Sequence, residues 1–437
     1  MKKARVFTLA LIICMLASVL CSAAQAADAP DISARNAIVI EQGSGKVLYE
    51  KAADDKAPPA STTKIMTLLL TCEAIERGDV SPDDVVTAKA EDIRIIDDDA
   101  SNVGIVPGEK LSLRELCYCA MLASANEATN VIASHVAGSV DAFVKLMNEK
   151  AAALGCENTH FENTNGLPNE DHCTTARELA VIAQEALKHD FFLELCGTAE
   201  HTVPATDSSK ERKLLNSNAL INKKSYYGKD YFLDGAYGVK TGHTEAAGYC
   251  LVSAVKQGEL DLLTVVLGAT GDGKMGEYFN NFADTIKLVE YCVENYHYTS
   301  VFSTDEVICS VAVEKGRQSE LSLSPAYDVS MLLSDVDSGS LERVISLDCE
   351  SVPAPVEKGT VLGTVDSKLP DGSVLCSCDL VAAEDVEVSI IDHALENIGS
   401  FFSENVPAVA IGFAALIIIV FFAIYIPYKR KGGKFKR

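Results

Sequence analysis

The sequence is poor in positive charge. Lys and Arg number 38 against 62 Asp and Glu, and both ends are basic: Lys2, Lys3 and Arg5 at the start, Lys429, Arg430, Lys431, Lys434, Lys436 and Arg437 at the finish. The body between them is therefore more acidic than the net charge of −24 suggests. Phosphate backbones demand Lys/Arg-rich faces, so nucleic-acid binding is excluded. The chain also lacks a long Gln, Ser or Pro tract and any internal repeat. With 48% hydrophobic and 23% charged residues over 437 positions, it has the composition of a folded protein of two or three domains. Cys117-x-Cys119 and Cys376-x-Cys378 have no His or second Cys pair at zinc spacing, so no metal is expected, and no cofactor either.

The ends set the compartment. Basic residues, the apolar stretch Val6 to Leu20 and Ala24-Gln25-Ala26 form a cleavable signal peptide over 1–26. Cys21 follows Leu20 where a lipoprotein signal needs a small residue, which disfavours lipidation. Near the other end, 406–428 is uncharged and meets the roughly 20 residues that a membrane helix requires. The Lys and Arg after it place the tail, 429–437, in the cytoplasm and the body outside. Of 14 cysteines, Cys14 and Cys21 leave with the signal. Cys72, Cys250 and Cys292 sit inside apolar patterns, as reduced core thiols do.

After the signal, Ala37–Ile40 and Lys46–Tyr49 flank a Gly-rich turn and predict a β-hairpin. Helical patterns follow at Ser61 to Arg77, Ser112 to Ala123, Asp141 to Leu154 and Thr175 to Leu187. Strand patterns return at Ala236 to Thr241, Tyr249 to Val255 and Leu260 to Leu267, and a helix over about Met275 to Tyr296 closes the unit. Strands from both ends with helices between and after them imply an α+β domain, one sheet sandwiched by helices with a helical region, over 27–298. Alternation over 299–390 predicts a small all-β domain. A juxtamembrane amphipathic segment, 391–405, then leads to the transmembrane helix.

Three short patterns carry chemistry. In Ser61-Thr62-Thr63-Lys64, positions i and i+3 share a helix face, so the amine can reach the hydroxyl, and the first amides of a helix have no internal partner. A second Ser-x-x-Lys, Ser253 to Lys256, lies in a strand pattern, where the two side chains point to opposite faces. Ser124-Ala125-Asn126 ends a helical run; Ser403-Glu404-Asn405 has no such context. Lys240-Thr241-Gly242 occurs once, on a strand flanked by Gly238 and Gly248, where a backbone can approach a substrate closely. Asp97-Asp98-Asp99 is read as a solvated loop.

In that order the three patterns form a set. The sequence resembles the low-molecular-mass penicillin-binding proteins, serine D-Ala-D-Ala carboxypeptidases with a β-lactamase/transpeptidase-like domain. The likeness runs from about Ala37 to Tyr296 and includes Asn163-Thr164-Asn165-Gly166-Leu167; it continues more weakly at Ala354 to Gly359. It implies Ser61 as nucleophile, Lys64 as its base and Ser124 as proton relay. It implies substrate binding by Asn126, Lys240, Thr241, Gly242 and His243, with the amides of Ser61 and His243 as oxyanion hole. Implied partners are peptidoglycan stem peptides and, as covalent inhibitors, β-lactams. Glu127 stands where the family often has Asp. A non-catalytic cell-wall or β-lactam binding protein, a D,D-endopeptidase and a β-lactamase remain as alternatives. The last is disfavoured because no Glu-x-x-Leu-Asn lies between Ser124 and Lys240.

Overall fold

Apolar side chains alternating along the first strand decide the layering. In β1 (Asn36–Glu41), Ile38 and Ile40 join one buried cluster, while Ala37 and Val39 join another on the opposite face. β1 pairs antiparallel with β2 (Val47–Lys51), and the turn between them is held by Glu41, whose carboxylate accepts the amides of Gly43 and Ser44. The structure is a computed structural model describing residues 29–93, 101–223, 231–271, 279–404 and 406–431. The signal segment 1–26, Asp97-Asp98-Asp99 and Asn405 lie outside the described residues.

A 3₁₀ turn over Ala60–Thr63 runs into α1 (Lys64–Glu76). The helical region continues with α2 (Ala90–Ile93), α3 (Leu113–Leu122), α4 (Asn126–Ala137), α5 (Val140–Ala153), α6 (Ala176–Ala186) and α7 (Asp190–Gly197). Ser112, Ser139 and Thr175 each accept the amide three residues on, which fixes where α3, α5 and α6 begin. Two small antiparallel strand pairs, β3 (Val85–Thr87) with β4 (Lys110–Ser112) and β5 (Glu200–Val203) with β6 (Arg212–Leu215), were not predicted. Then come β7 (Ala236–Thr244), β8 (Gly248–Gln257) and β9 (Leu260–Ala269), followed by α8 (Asn280–Asn295).

These strands form one five-stranded antiparallel sheet in the order β2-β1-β9-β8-β7. Leu263, Val265 and Leu267 of β9 pack with Leu68 of α1, Leu116 of α3 and Leu179 of α6. Leu262 and Val266 pack with Leu288, Val289 and Cys292 of α8 on the other face. Each fully buried side chain of this kind stabilises the fold by about 1.5–3 kcal/mol. Cys72, Cys117 and Cys119 are fully buried members of the first core, and burial pushes the Cys72 and Cys119 thiols up to about 12.

The chain divides into two compact units, one ending at Tyr298 but including Leu332–Val336, the other comprising 299–331 and 337–437. The Lys46 ammonium donates to the Leu332 carbonyl at 2.9 Å within the first unit. After β10 (Tyr296–Phe302), the second unit contains β11 (Cys309–Glu314), β12 (Glu320–Pro325), β14 (Glu342–Leu347), β15 (Ser351–Pro353), β16 (Val361–Lys368) and β17 (Val374–Ala382); β13 (Val329–Ser334) and α9 (Asp335–Ser338) fall between β12 and β14. Its six-stranded sheet has the order β14-β16-β17-β12-β11-β15, around Leu321, Leu323, Val365 and Leu380.

Two helices end the chain: α10 (Ile390–Glu404), where the amphipathic segment was predicted, and α11 (Val406–Lys431). The expected span, 406–428, falls in α11, whose side chains at 406–409, 424 and 427–431 lie outside the described ones. Among the described residues no helix is long and apolar enough to cross a membrane. The apolar side chains that are described, among them Ile417, Ile418, Phe421 and Phe422, are exposed.

Candidate active site

Three segments distant in sequence meet at the start of α1. The turn before it places Ser61 half-buried, with Lys64 one turn on and fully buried. Thr62 Oγ1 donates to the Pro59 carbonyl at 2.6 Å and Thr63 Oγ1 to that of Ala60 at 2.8 Å, so both intervening threonines tie the turn to its approach. Ala60 itself has φ +48°, a conformation alanine seldom adopts and one that costs about 1–3 kcal/mol.

Lys64 Nζ has three neighbours: Ser61 Oγ at 2.9 Å, Asn126 Oδ1 at 2.7 Å and the Asn165 carbonyl at 2.7 Å. The amide and carbonyl oxygens accept only, so they take two N–H bonds. The third direction faces the serine hydroxyl, and in a neutral amine that direction holds the lone pair. Burial pushes Lys64 well below the usual lysine range, the charge of Lys240 pushes it the same way, and Glu127 pulls in the opposite sense. Lys64 is thus biased toward its neutral form beside the Ser61 hydroxyl.

Ser124 sits in the break between α3 and α4 with φ +58°. The break is over-determined, since Ala125 N donates to the Cys119 carbonyl at 3.1 Å and Asn126 N to that of Ser101 at 2.9 Å. The Ser124 hydroxyl is buried, has no hydrogen-bond partner among the described residues and borders the cleft. Glu127, the longer acid, accepts the Val103 amide on Oε1 at 2.7 Å and so ties the loop bearing Ser101 to this break.

β7 forms the opposite wall. A Cβ added to Gly242 would lie 3.0 Å from Ser61 N and 3.1 Å from Thr62 N, so glycine is what lets the strand lie against the turn that carries Ser61. Lys240 is 1% exposed, donates to the Thr241 carbonyl at 3.1 Å and is pushed by burial down to about 7. Its charge acts on Lys64 across the cleft floor and lowers that amine's affinity for a proton. The side chain of His243 is exposed and stacks on Tyr249 at 4.2 Å.

The cleft between these walls has a volume of about 710 Å³ and is lined by Ser61, Ser124, Asn126, Thr241, Gly242 and His243 among others. A groove of about 890 Å³ alongside, walled by Pro58, Pro59, Pro168 and His172, shares Gly166 to Pro168 and Thr244 with it but holds none of the predicted catalytic side chains. The second Ser-x-x-Lys is structural: Ser253 Oγ donates to the Gly238 carbonyl at 3.1 Å, and Lys256 pairs with Asp261 on the surface.

Two contributors escaped sequence reasoning. Ser217 lines the cleft, and its Oγ is 2.6 Å from Thr241 Oγ1. The flanking asparagines that build its turn, with Asn216 Oδ1 accepting Asn218 N and Asn218 Oδ1 accepting Leu220 N, were the available signal. The Asn165 carbonyl is aimed at Lys64 by Asn163, whose Oδ1 accepts the amides of Asn165 and Gly166. Gly166 has φ +87°, and a Cβ there would fall 1.8 Å from the Ala60 carbonyl oxygen.

A buried lysine amine at hydrogen-bond distance from a serine at a helix start, beside a strand backbone with which the serine amide can share an anion, is the geometry of a serine acyl-transfer enzyme. Comparison with known proteins makes the class particular. Residues 23–271 match the family described as D-alanyl-D-alanine carboxypeptidase, and 296–388 match the penicillin-binding protein 5 C-terminal domain. The chain belongs to the D-alanyl-D-alanine carboxypeptidase family. It is 32% identical over 355 residues to D-alanyl-D-alanine carboxypeptidase DacF of Bacillus subtilis, covering 81% of this chain and 86% of that one. It is also 32% identical over 370 residues to DacC of Escherichia coli, covering 84% and 87%. Penicillin-binding protein 5 from Haemophilus influenzae superposes with a TM-score of 0.59 at 25% identity, over 82% of this chain and 99% of that one. The architecture is therefore the penicillin-binding protein fold, a catalytic domain followed by an all-β domain.

Proposed function

We propose that the protein is a serine D-Ala-D-Ala carboxypeptidase that removes the terminal D-Ala from peptidoglycan stem pentapeptides through an acyl-enzyme on Ser61, and that penicillin acylates the same oxygen. The observation that carries this reading is the Lys64 amine with Asn126 and Asn165 on two of its bonding directions and the Ser61 hydroxyl on the third. As Ser61 Oγ attacks the scissile carbonyl carbon, its proton passes to Lys64 and the carbonyl oxygen becomes an anion between the amides of Ser61 and His243. The Ser124 hydroxyl relays the proton held by Lys64 to the departing D-alanine nitrogen, giving its own and taking that one in its place, and the C–N bond breaks; water then attacks the acyl carbon, and its proton returns to Ser61 Oγ as the acyl group leaves. Asn126 orients the substrate amide. The hydroxyl pair of Thr241 and Ser217 receives the terminal carboxylate, with the Lys240 charge behind it.

The same reading places the enzyme outside the membrane, 27–405 exported and 429–437 in the cytoplasm, with 406–428 as the anchor. Support comes from the basic, apolar start of the chain, the uncharged run before the basic tail and the exposed apolar side chains of α11. Incubating the purified ectodomain with a pentapeptide ending in D-Ala-D-Ala should release one D-alanine per peptide, read by mass spectrometry. A protein that binds the peptide and releases nothing would make it a binding module instead.

A further inference from the structure

One buried titratable side chain beside the nucleophile has no part in the chemistry above. His172 is 3% exposed, and its two ring nitrogens have different duties. Nδ1 accepts the backbone N–H of Glu162 at 3.1 Å, so it carries no proton and the neutral ring is protonated at Nε2. Nε2 lies 2.8 Å from Thr63 Oγ1, and that oxygen lies 2.8 Å from the Ala60 carbonyl, which can only accept. The directions are therefore fixed: His172 Nε2–H donates to Thr63 Oγ1, and the Thr63 hydroxyl donates to the Ala60 oxygen.

That oxygen belongs to the residue immediately before Ser61, held at φ +48°. Its other side is packed against Gly166, where a Cβ would come within 1.8 Å. Thr62 ties the turn one residue earlier, through the Pro59 carbonyl. We propose that His172 is a positioning residue for the nucleophile: acting through Thr63, it clamps the Ala60 carbonyl and so fixes the turn that presents Ser61 Oγ to Lys64 and the Ser61 N–H to the substrate.

The ring suits a permanent clamp. Burial pushes it down to about 4, with His160 and Lys64 acting in the same direction, so it stays a neutral donor at physiological pH. A cationic ring would have to surrender the Glu162 amide. A bare packing role, against the Phe161 ring at 5.6 Å, requires the volume of the imidazole but neither of its hydrogen bonds.

The test separates the two. Gln at 172 can accept from Glu162 and donate to Thr63, whereas Leu fills space and does neither. Stopped-flow labelling with fluorescent penicillin gives the acylation rate constant and the preceding noncovalent binding constant separately. His172→Leu and Thr63→Val should each slow acylation about 10- to 100-fold, as sub-ångström misplacement of a reacting group does. The binding constant should move less than about threefold, and the double variant should be little slower than either single one, as members of one chain behave. His172→Gln should restore acylation to within about fivefold of native. Native-rate acylation by His172→Leu, or a Gln variant as slow as Leu at equal melting temperature, would overturn the proposal. Should His172→Leu not fold, Thr63→Ser against Thr63→Val decides: serine must be fast and valine slow, and equal rates refute. The inference rests on Ser61 being the acylated serine. If Ser61→Ala still labels, that reading fails, whereas a fast His172→Leu beside an inert Ser61→Ala sinks the clamp alone.

Discussion

Replacing Gly242 with alanine adds one methyl group at the point where β7 meets the nucleophile's turn. It would stand 3.0 Å from Ser61 N, 3.1 Å from Thr62 N and 3.2 Å from the Ala60 Cβ. Ordinary contacts of carbon with such atoms fall near 3.5–4.0 Å, so the strand and the turn must separate by roughly half an ångström. No side-chain rotation relieves this, because two of the obstacles are backbone atoms. The donors of an oxyanion hole must sit about 2.7–3.1 Å from the developing anion, and half an ångström takes one of them out of range. Loss of one donor costs about 10²–10³-fold, so Gly242→Ala should slow penicillin acylation by about 100-fold or more. Overpacking of about 1–3 kcal/mol should also lower the melting temperature by several degrees while leaving the circular dichroism native. Stopped-flow labelling of folded protein is the assay. Acylation at the native rate would mean that the amides flanking the cleft are not the hole, and the strand-against-turn argument would fall.

Three further outcomes are expected, two from the geometry of the cleft and one from the charge at the end of the chain. A peptide ending in D-Ala-D-Ala carboxylate should be cleaved at least about tenfold faster by kcat/KM than its C-terminal amide; Thr241→Val and Ser217→Ala should each narrow the gap, and equal rates with the native enzyme would favour an endopeptidase. Lys64 is depressed by burial and Lys240 is pushed by burial to about 7, so kcat/KM should rise with pH as Lys64 loses its proton and fall above about 7 as the Lys240 charge disappears. Only the carboxylate substrate should show the alkaline limb; an identical limb with the amide would detach Lys240 from carboxylate binding. Protease added to intact wall-less cells should remove the body and spare a C-terminal tag, and loss of the tag would reverse the proposed orientation.

How far the site could be read in advance depends on which atoms it uses. Ser61 and Lys64 were legible because one helical turn brings i and i+3 together, and Lys64 Nζ indeed lies 2.9 Å from Ser61 Oγ. Asn126 was legible as part of a triplet at a helix end, although the left-handed Ser124 that separates α3 from α4 has no signature in composition. The Asn165 carbonyl was not legible, since any residue supplies a main-chain acceptor; only the surrounding Asn-rich turn betrays it. His172 and Thr63 are 109 residues apart and meet through tertiary packing alone. Lys240 and Thr241 were legible as a cation and a hydroxyl adjacent on a strand; Lys240 is buried and Thr241 lines the cleft. In the fold, the central sheet was readable from near-continuous apolar runs. The short pairs β3/β4 and β5/β6 were not, since strands of three or four residues offer too few alternations to register a period. The return of Leu332–Val336 to the first unit is a long-range docking that no local pattern encodes.

The most direct measurement of the central claim is an intact-mass and peptide-mapping time course of the purified ectodomain with penicillin. One adduct per chain should form, localise to the peptide containing Ser61, persist long after free drug is removed and be absent from Ser61→Ala. An adduct on Ser124 or elsewhere, or a rapid return to the unmodified mass, would contradict a long-lived acyl-enzyme on Ser61.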